Sequence, residues 1–327
     1  MSEDVVERIT VGELDRVFYA HADHHRVADK GLRRYQPFGF DFDSTALMLD
    51  EPADHWEEQV RLLHLENRDR AIARLKEQYG VLHHDQIVQN LRDLGPKAFS
   101  LIAYHNRFYH EAREAFVIGS YYPALVATCA LGERILNHLI LDLREDFKSS
   151  PHYRRVYRKE SFDDWAFATG VLSDWNVLVE GVAEDLLELS KLRHRSIHFN
   201  PETYRVLRED ALAALKLIGD IVSKQFGFFG RQPWFIEGTA GAQFIKKSYE
   251  AHPFVRKYLV PQSGFVGVLY GMERRADGHW QHLDLVDYGD GEMVDDEFAK
   301  AFGERDPEQV VTRAMIQAQR AEEGSDA

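Results

Sequence analysis

The sequence predicts a mainly α protein: an up-and-down helical bundle with a helical N-terminal extension and a small α+β unit at the C-terminal end. Three observations predict it. Apolar residues recur at the three-and-four spacing of a buried helix face through most of 97–226. A charged segment with helical period precedes them in 57–94. Beyond Phe226 the pattern turns aromatic and glycine-punctuated, with strand-like runs. On sequence the chain therefore divides into 1–96, 97–226 and 227–327.

The first region reads as mostly helical with an irregular middle from Leu32 to Asp50, where Tyr35-Gln-Pro-Phe-Gly-Phe-Asp-Phe-Asp carries turn residues and no helical period. Glu57 to Tyr79 is a predicted helix with Val60, Leu63, Ile72 and Leu75 as inner positions, stopped by Gly80. A shorter helix follows from His84 to Leu94, and Gly95-Pro96 punctuates the start of a new unit.

In the bundle, Phe99, Ile102, Ala103, Phe108, Ala112 and Phe116 suggest one helix ending near Gly119. Pro123 suits the first turn of the next, whose buried face is Leu125, Thr128, Cys129, Gly132, Ile135, Leu136 and Leu139. A linker rich in Arg and Tyr spans His152 to Lys159. Ser161 is placed to cap a short helix through Trp165 and Phe167. Trp175 to Leu192 makes another, with Leu178, Val182, Leu186, Leu189 and Leu192 as its stripe. Asn200-Pro201 opens the last, in which Ala211, Leu212, Leu215, Ile218, Val222 and Phe226 share a face. In the C-terminal region, Phe265-Val-Gly-Val-Leu-Tyr and His282-Leu-Asp-Leu-Val-Asp-Tyr read as strands joined near Ala276-Asp277-Gly278. Helices are expected at Asp295 to Phe302 and Pro307 to Glu322.

Composition narrows the function. A formal charge of −14 argues against a protein coated in nucleic-acid-binding surface, so any RNA contact must be local. The single cysteine, Cys129, excludes an intrachain disulfide framework, and its apolar neighbours favour a buried small hydrophobe over a nucleophile. The acidic N-terminus lacks an apolar signal core, and no run approaches the roughly 18 apolar residues of a membrane helix. A cytoplasmic protein with no membrane partner is expected.

The most chemically informative stretch is Leu192-Arg193-His194-Arg195-Ser196-Ile197-His198-Phe199-Asn200-Pro201. Arginine grips a phosphate through a fork of donors, and histidine carries a proton near neutral pH. Together they suffice for metal-independent RNA cleavage. The same spacing occurs at Arg16/His21 and Arg274/His279, with a six-residue gap at Arg275/His282, but only Arg193/His198 closes one long helical pattern and precedes another. His21, His24 and His25 lack companions for a zinc site, and His83-His84-Asp85 lacks the wider ligand set of a metal phosphohydrolase. No metal and no cofactor is expected.

Three segments together resemble the HEPN superfamily, helical domains that include many metal-independent ribonucleases. Ala112-Arg-Glu-Ala-Phe-Val-Ile-Gly-Ser-Tyr-Tyr-Pro-Ala-Leu is similar to the opening helix pair. Cys129-Ala-Leu-Gly-Glu133-Arg134-Ile-Leu-Asn-His138 is similar to the second helix with its Glu-Arg step, and Arg193-His194-x-x-x-His198 matches the signature arginine, polar residue and histidine. The resemblance covers about Ala98 to Phe226. It implies Arg193 and His198 as the catalytic pair and His194 at the polar second position. Glu133 either supports the motif arginine or makes an ordinary salt bridge on the bundle. Arg195 is placed to hold the RNA backbone. Arg154, Arg155 and Arg158 read either as single-strand RNA contacts or as a solvated basic linker. Some toxins of the family carry a modifiable tyrosine after the histidine; Phe199 stands there in this chain and has no hydroxyl.

In one straight helix, five residues turn through about 500°, which leaves Arg193 and His198 roughly 140° apart. Pro201 disfavours helix at Asn200, so a break within Arg195 to Phe199 would swing His198 back toward Arg193. A two-fold homodimer would instead bring the motifs of two chains together, as in the family, and is the preferred reading. The expected function is an endoribonuclease, as a toxin or defence effector, with RNA, a second copy, and an antitoxin or regulatory protein as partners. The alternative is a non-catalytic module of the same type that binds RNA, a nucleotide or a protein.

Overall fold

The computed structural model describes residues 6–11, 14–19, 31–101, 103–197, 205–228, 232–274 and 280–325. In chain order its strands and α-helices are β1 (Val6–Val11), β2 (Leu14–Tyr19), β3 (Arg34–Pro37), β4 (Phe40–Asp43), α1 (Thr45–Met48), α2 (Glu58–Tyr79) and α3 (His84–Leu94). Then come β5 (Lys97–Leu101), α4 (His105–Val117), α5 (Tyr121–Leu143), α6 (Tyr153–Val156), α7 (Trp165–Asp174), α8 (Val182–Ile197) and α9 (Leu207–Phe226). The chain continues through β6 (Ser263–Val266), β7 (Gly271–Arg274), β8 (Trp280–Leu283), α10 (Asp295–Gly303) and α11 (Arg313–Ser325). The protein is mainly α with small two-stranded sheets, as the sequence predicts.

Two compact units form, one from 40–232 and one from 1–39 with 233–327. This division differs from the three consecutive regions read from the sequence. Residues 40–96 join the helical unit, and 31–39 join the C-terminal region through antiparallel pairing of β3 with β6.

The 40–232 unit is organised by α5, which touches α4, α7, α8 and α9. Every residue of its predicted inner face is buried, including Leu125, Cys129, Gly132 and Leu136. This helix continues into a 3-10 turn, and Tyr121–Phe147 is long and apolar enough to cross a membrane by length and composition, contrary to the expectation from the sequence. In this fold 56% of its most apolar window is buried. Gly132 permits the closest approach: a Cβ there would lie 2.6 Å from Trp165 Cη2 and 2.7 Å from Leu189 Cδ2. One glycine thus sets how closely α7 and α8 lie against α5.

Several local expectations shift. Among the described residues the N-terminal region is helical only from Thr45; before it lie β1 to β4, whose Val, Ile, Thr, Phe and Tyr content suits a pleated chain better than a helix. In α2, Leu75 and Ala71 are buried, whereas Val60 and Leu63 lie on the exposed side. Phe99 belongs to β5, which pairs with β4, so α4 starts only at His105. Asp164, not Ser161, caps α7, accepting a hydrogen bond from the Phe167 amide at 3.0 Å. The helix expected from Trp175 begins at Val182, because Asn176 and Gly181 take positive φ values of 55° and 80°. Its stripe is otherwise as predicted, with Val182, Leu186, Leu189 and Leu192 buried. The last helix of the unit begins at Leu207 rather than Asn200-Pro201, which lie outside the described residues.

In the other unit, Ile236, Phe244, Val266, Tyr270, Phe298 and Phe302 make a core cluster. The expected hairpin pairs β8 with β7, one strand later than predicted, while Phe265 belongs to β6 and pairs with Tyr35. Two arginines with no exposed surface to speak of stand at its heart. Arg33 donates to Asp284 at 3.1 Å and to the Val286 carbonyl at 2.8 Å; Arg34 donates to Asp295 at 2.8 Å. Burial of this kind is tolerated because each guanidinium meets a carboxylate and backbone acceptors.

Candidate functional site

The stretch 192–197 is the last turn and a half of α8, packed between α5 and α9. Successive residues of a helix are about 100° apart, so Arg193 and Arg195 leave α8 on nearly opposite sides. Arg193 reaches α5, where its guanidinium meets the Glu133 carboxylate at 2.8 Å. Arg195 reaches α9 and pairs with Asp210, which is buried. Both side chains of the Arg193–Glu133 pair are about 30% exposed, so the pair is partly shielded from water and still open to a ligand. His194 is exposed between the two arginines. His198 and Phe199 lie outside the described residues.

Beneath the pair, the Ser196 hydroxyl donates to the Arg193 carbonyl at 3.1 Å. Cys129 lies below it, and burial pushes its thiol up to about 11 despite a hydrogen bond from Ser196 and the Arg193 charge. A thiol held protonated is a poor nucleophile, which agrees with a packing role for Cys129.

The Arg- and Tyr-rich linker runs along the same helix. Asn137, one turn beyond Glu133, accepts from the Phe162 amide at 2.6 Å and donates to its carbonyl at 3.1 Å. Arg144 donates to the carbonyls of Lys159, at 2.8 Å, and Val156, at 3.3 Å. These contacts fix a backbone whose own side chains point outward: Arg154, Arg155 and Arg158 are all exposed. The Arg155 guanidinium lies 3.6 Å from the Phe167 ring centroid.

Arg16 lies in β2 and Arg274 in β7, while His21, Arg275 and His279 fall outside the described residues. His24 and His25 do so too. His83 and His84 stand at the start of α3, and among the described residues no group of three or more His, Cys, Asp and Glu side chains is arranged to hold a metal ion. His282 is buried and hydrogen-bonded to Gln36 at 2.5 Å. A cleft of about 190 Å³ lies elsewhere, between Met48 and Asn67, Arg70, Ala71 and Arg74.

A second polar centre carries no motif in the sequence. Lys97 pairs with Asp41, Asn106 donates to the same carboxylate at 3.0 Å, and His105 is fully buried beside them. Desolvation, helped by the Lys97 charge, pushes the His105 imidazole down to about 3. Neither ring nitrogen has a hydrogen-bond partner among the described residues. The only sequence signal was a cluster of polar residues inside a segment read as one amphipathic helix. Its assembly depends on the pairing of β4 with β5, which periodicity does not report.

No family model matches the chain, and neither does any curated protein or solved structure. The geometry defines a helical-bundle protein in which an arginine at the end of one helix is held by a glutamate of the central helix.

Proposed function

We propose that this bundle is a metal-independent endoribonuclease of HEPN type, serving as a toxin or defence effector. The observation that supports it is the Arg193–Glu133 ion pair at 2.8 Å, which ties the motif arginine to the Glu-Arg step of the central helix. A guanidinium held by a carboxylate on one edge is already oriented when a phosphate reaches another edge. Preorganised charge of this kind is where electrostatic catalysis draws most of its effect.

In this reading His198 takes the proton from an RNA 2′-hydroxyl as its oxygen attacks the adjacent phosphorus. The new O2′–P bond forms as the P–O5′ bond breaks, and the departing 5′-oxygen gains a proton. Arg193 balances charge on the phosphoryl oxygens. The products are a 2′,3′-cyclic phosphate and a 5′-hydroxyl. Exposed His194 and the basic linker hold the strand, while Arg195 holds α8 against α9 through Asp210. A two-fold dimer supplies a composite groove, since Arg193 and the residues up to Ile197 share one helix.

Incubation of the purified full chain with labelled RNA in excess EDTA, followed by end-group analysis, tests the reading. Cyclic-phosphate ends that vanish in the His198→Ala protein are the expected result. Intact RNA with the wild type, under conditions where it still binds, would leave the non-catalytic binding module in its place.

A further inference from the structure

The linker from Tyr153 to Lys159 carries four cations and no acid, in a chain whose formal charge is −14. Several other arginines of the helical unit are paired with acids: Arg68 with Glu51, Arg193 with Glu133, Arg195 with Asp210 and Arg208 with Asp93. Arg154, Arg155, Arg158 and Lys159 are exposed and have no acidic partner among the described residues. The neighbouring acids Glu160 and Asp163 are exposed as well and pair with none of them. Four cations without an acidic partner, two of them over the Phe167 and Phe162 rings, stand on a segment pinned by Arg144, and a polyanion complements that charge.

The aromatic residues narrow the class of polyanion. Tyr153 and Tyr157 stand with ring centroids 5.3 Å apart, and the Tyr157 side chain is 52% exposed. Val156 between them is fully buried, which points the Tyr157 phenol and the flanking arginines to the outer side of a pinned turn, while the Tyr153 hydroxyl donates to Glu145 at 3.1 Å. An anionic membrane would be met by exposed aliphatic anchors among the cations, and this segment has none. A nucleic-acid duplex keeps its bases stacked inside, where a lone exposed ring finds no face to cover. An unpaired strand offers both phosphates and free base faces.

We infer that Tyr153–Lys159 is a binding platform for single-stranded RNA, with Tyr157 as the stacking ring and Arg154 and Arg158 as the phosphate contacts. The inference rests on the ribonuclease reading only for the choice of RNA as the strand. Arg144, which pins the platform from the 3-10 turn continuing α5, follows Glu133 by eleven residues, about 16 Å of helix. The platform therefore grips the strand at a distance from the Arg193–Glu133 pair and sets which strands are presented to it. It selects unpaired over duplex RNA without reading sequence.

The test is fluorescence anisotropy of the full chain with a labelled 2′-O-methyl oligouridine, which cannot be cleaved, titrated at several salt concentrations. Tyr157→Ala is expected to weaken binding roughly 5- to 150-fold, the range for losing one base–aromatic stack, while Tyr157→Phe retains it. Arg154→Ala and Arg158→Ala are each expected to weaken binding and to lower the salt slope by about 0.7. All three positions are exposed, and unchanged thermal melting of the variants excludes a folding defect. Loss of RNA cleavage chemistry in the wild type alongside intact platform binding would sink the ribonuclease reading and spare the platform. Equal binding by wild type and all three platform variants would overturn the platform, as would preference for duplex RNA or for phosphatidylserine vesicles over the oligouridine.

Discussion

Glu133 on the central helix and Arg193 near the end of α8 meet at 2.8 Å, each about 30% exposed. The pair is therefore neither a freely solvated surface contact nor a sealed core bridge. Partial shielding raises its electrostatic effect, and partial exposure leaves room for a phosphate.

His198→Ala removes the proton carrier of the proposed reaction and is expected to lower cleavage by about 10²–10⁴-fold. Arg193→Ala should cost roughly 3–4 kcal/mol of transition-state stabilisation, and Arg193→Lys should rescue poorly because an ammonium lacks the planar fork. Cleavage of a labelled RNA in excess EDTA checks all three.

Self-association is the second expectation. Activity per protomer should fall on dilution in parallel with the dimer fraction measured by sedimentation. A monomer with undiminished specific activity would contradict a composite site.

Gly132→Ala places a methyl group 2.6 Å from Trp165 Cη2 and 2.7 Å from Leu189 Cδ2. Alanine's better helix propensity offsets up to about 1 kcal/mol, but overpacking costs about 1–3 kcal/mol. Net destabilisation is expected in urea unfolding. Cleavage should also drop, because α8 must move away from the helix that carries Glu133.

His105 makes stability depend on pH in one direction. Its imidazole titrates near 3 in the fold, against an ordinary value near 6.5 when unfolded. Between these values the unfolded chain binds the extra proton, so this contribution is complete above about pH 6.5 and is lost as pH falls toward 3. Lys97 and Asp41 are the charged groups that act on the ring. Urea midpoints at pH 7 and pH 4.5 should therefore converge in His105→Phe relative to wild type.

Arg33→Met strands Asp284 in the core of its unit, where among the described residues the carboxylate keeps the Gly267 amide at 2.8 Å and the Tyr288 hydroxyl at 3.3 Å. Removing one partner of a buried pair costs about 3–5 kcal/mol. Calorimetry should show that loss, and Arg33→Lys should recover little of it, since one ammonium cannot reproduce the fork to Asp284 and Val286.

Helical periodicity alone located α5 and its buried face, most of α9 and the stops at Gly80 and Gly95, because a helix packed on one side writes its contacts into residues three and four apart. The spacing of Arg193 to His198 and the presence of Glu133 were legible as residue types in the sequence, and of these Arg193 and Glu133 lie on such helices. What periodicity does not record is pairing between distant segments. The joining of β3 to β6 and of β4 to β5, the burial of Arg33 against Asp284, and the sealing of His105 beside Lys97 all join residues remote in sequence or across a strand boundary. Those were decided by tertiary contacts, since a charged side chain enters a core only where the fold delivers its counter-charge. The same holds for Arg193: its place on α8 follows from sequence, but its capture by Glu133 depends on how closely Gly132 lets α8 approach α5.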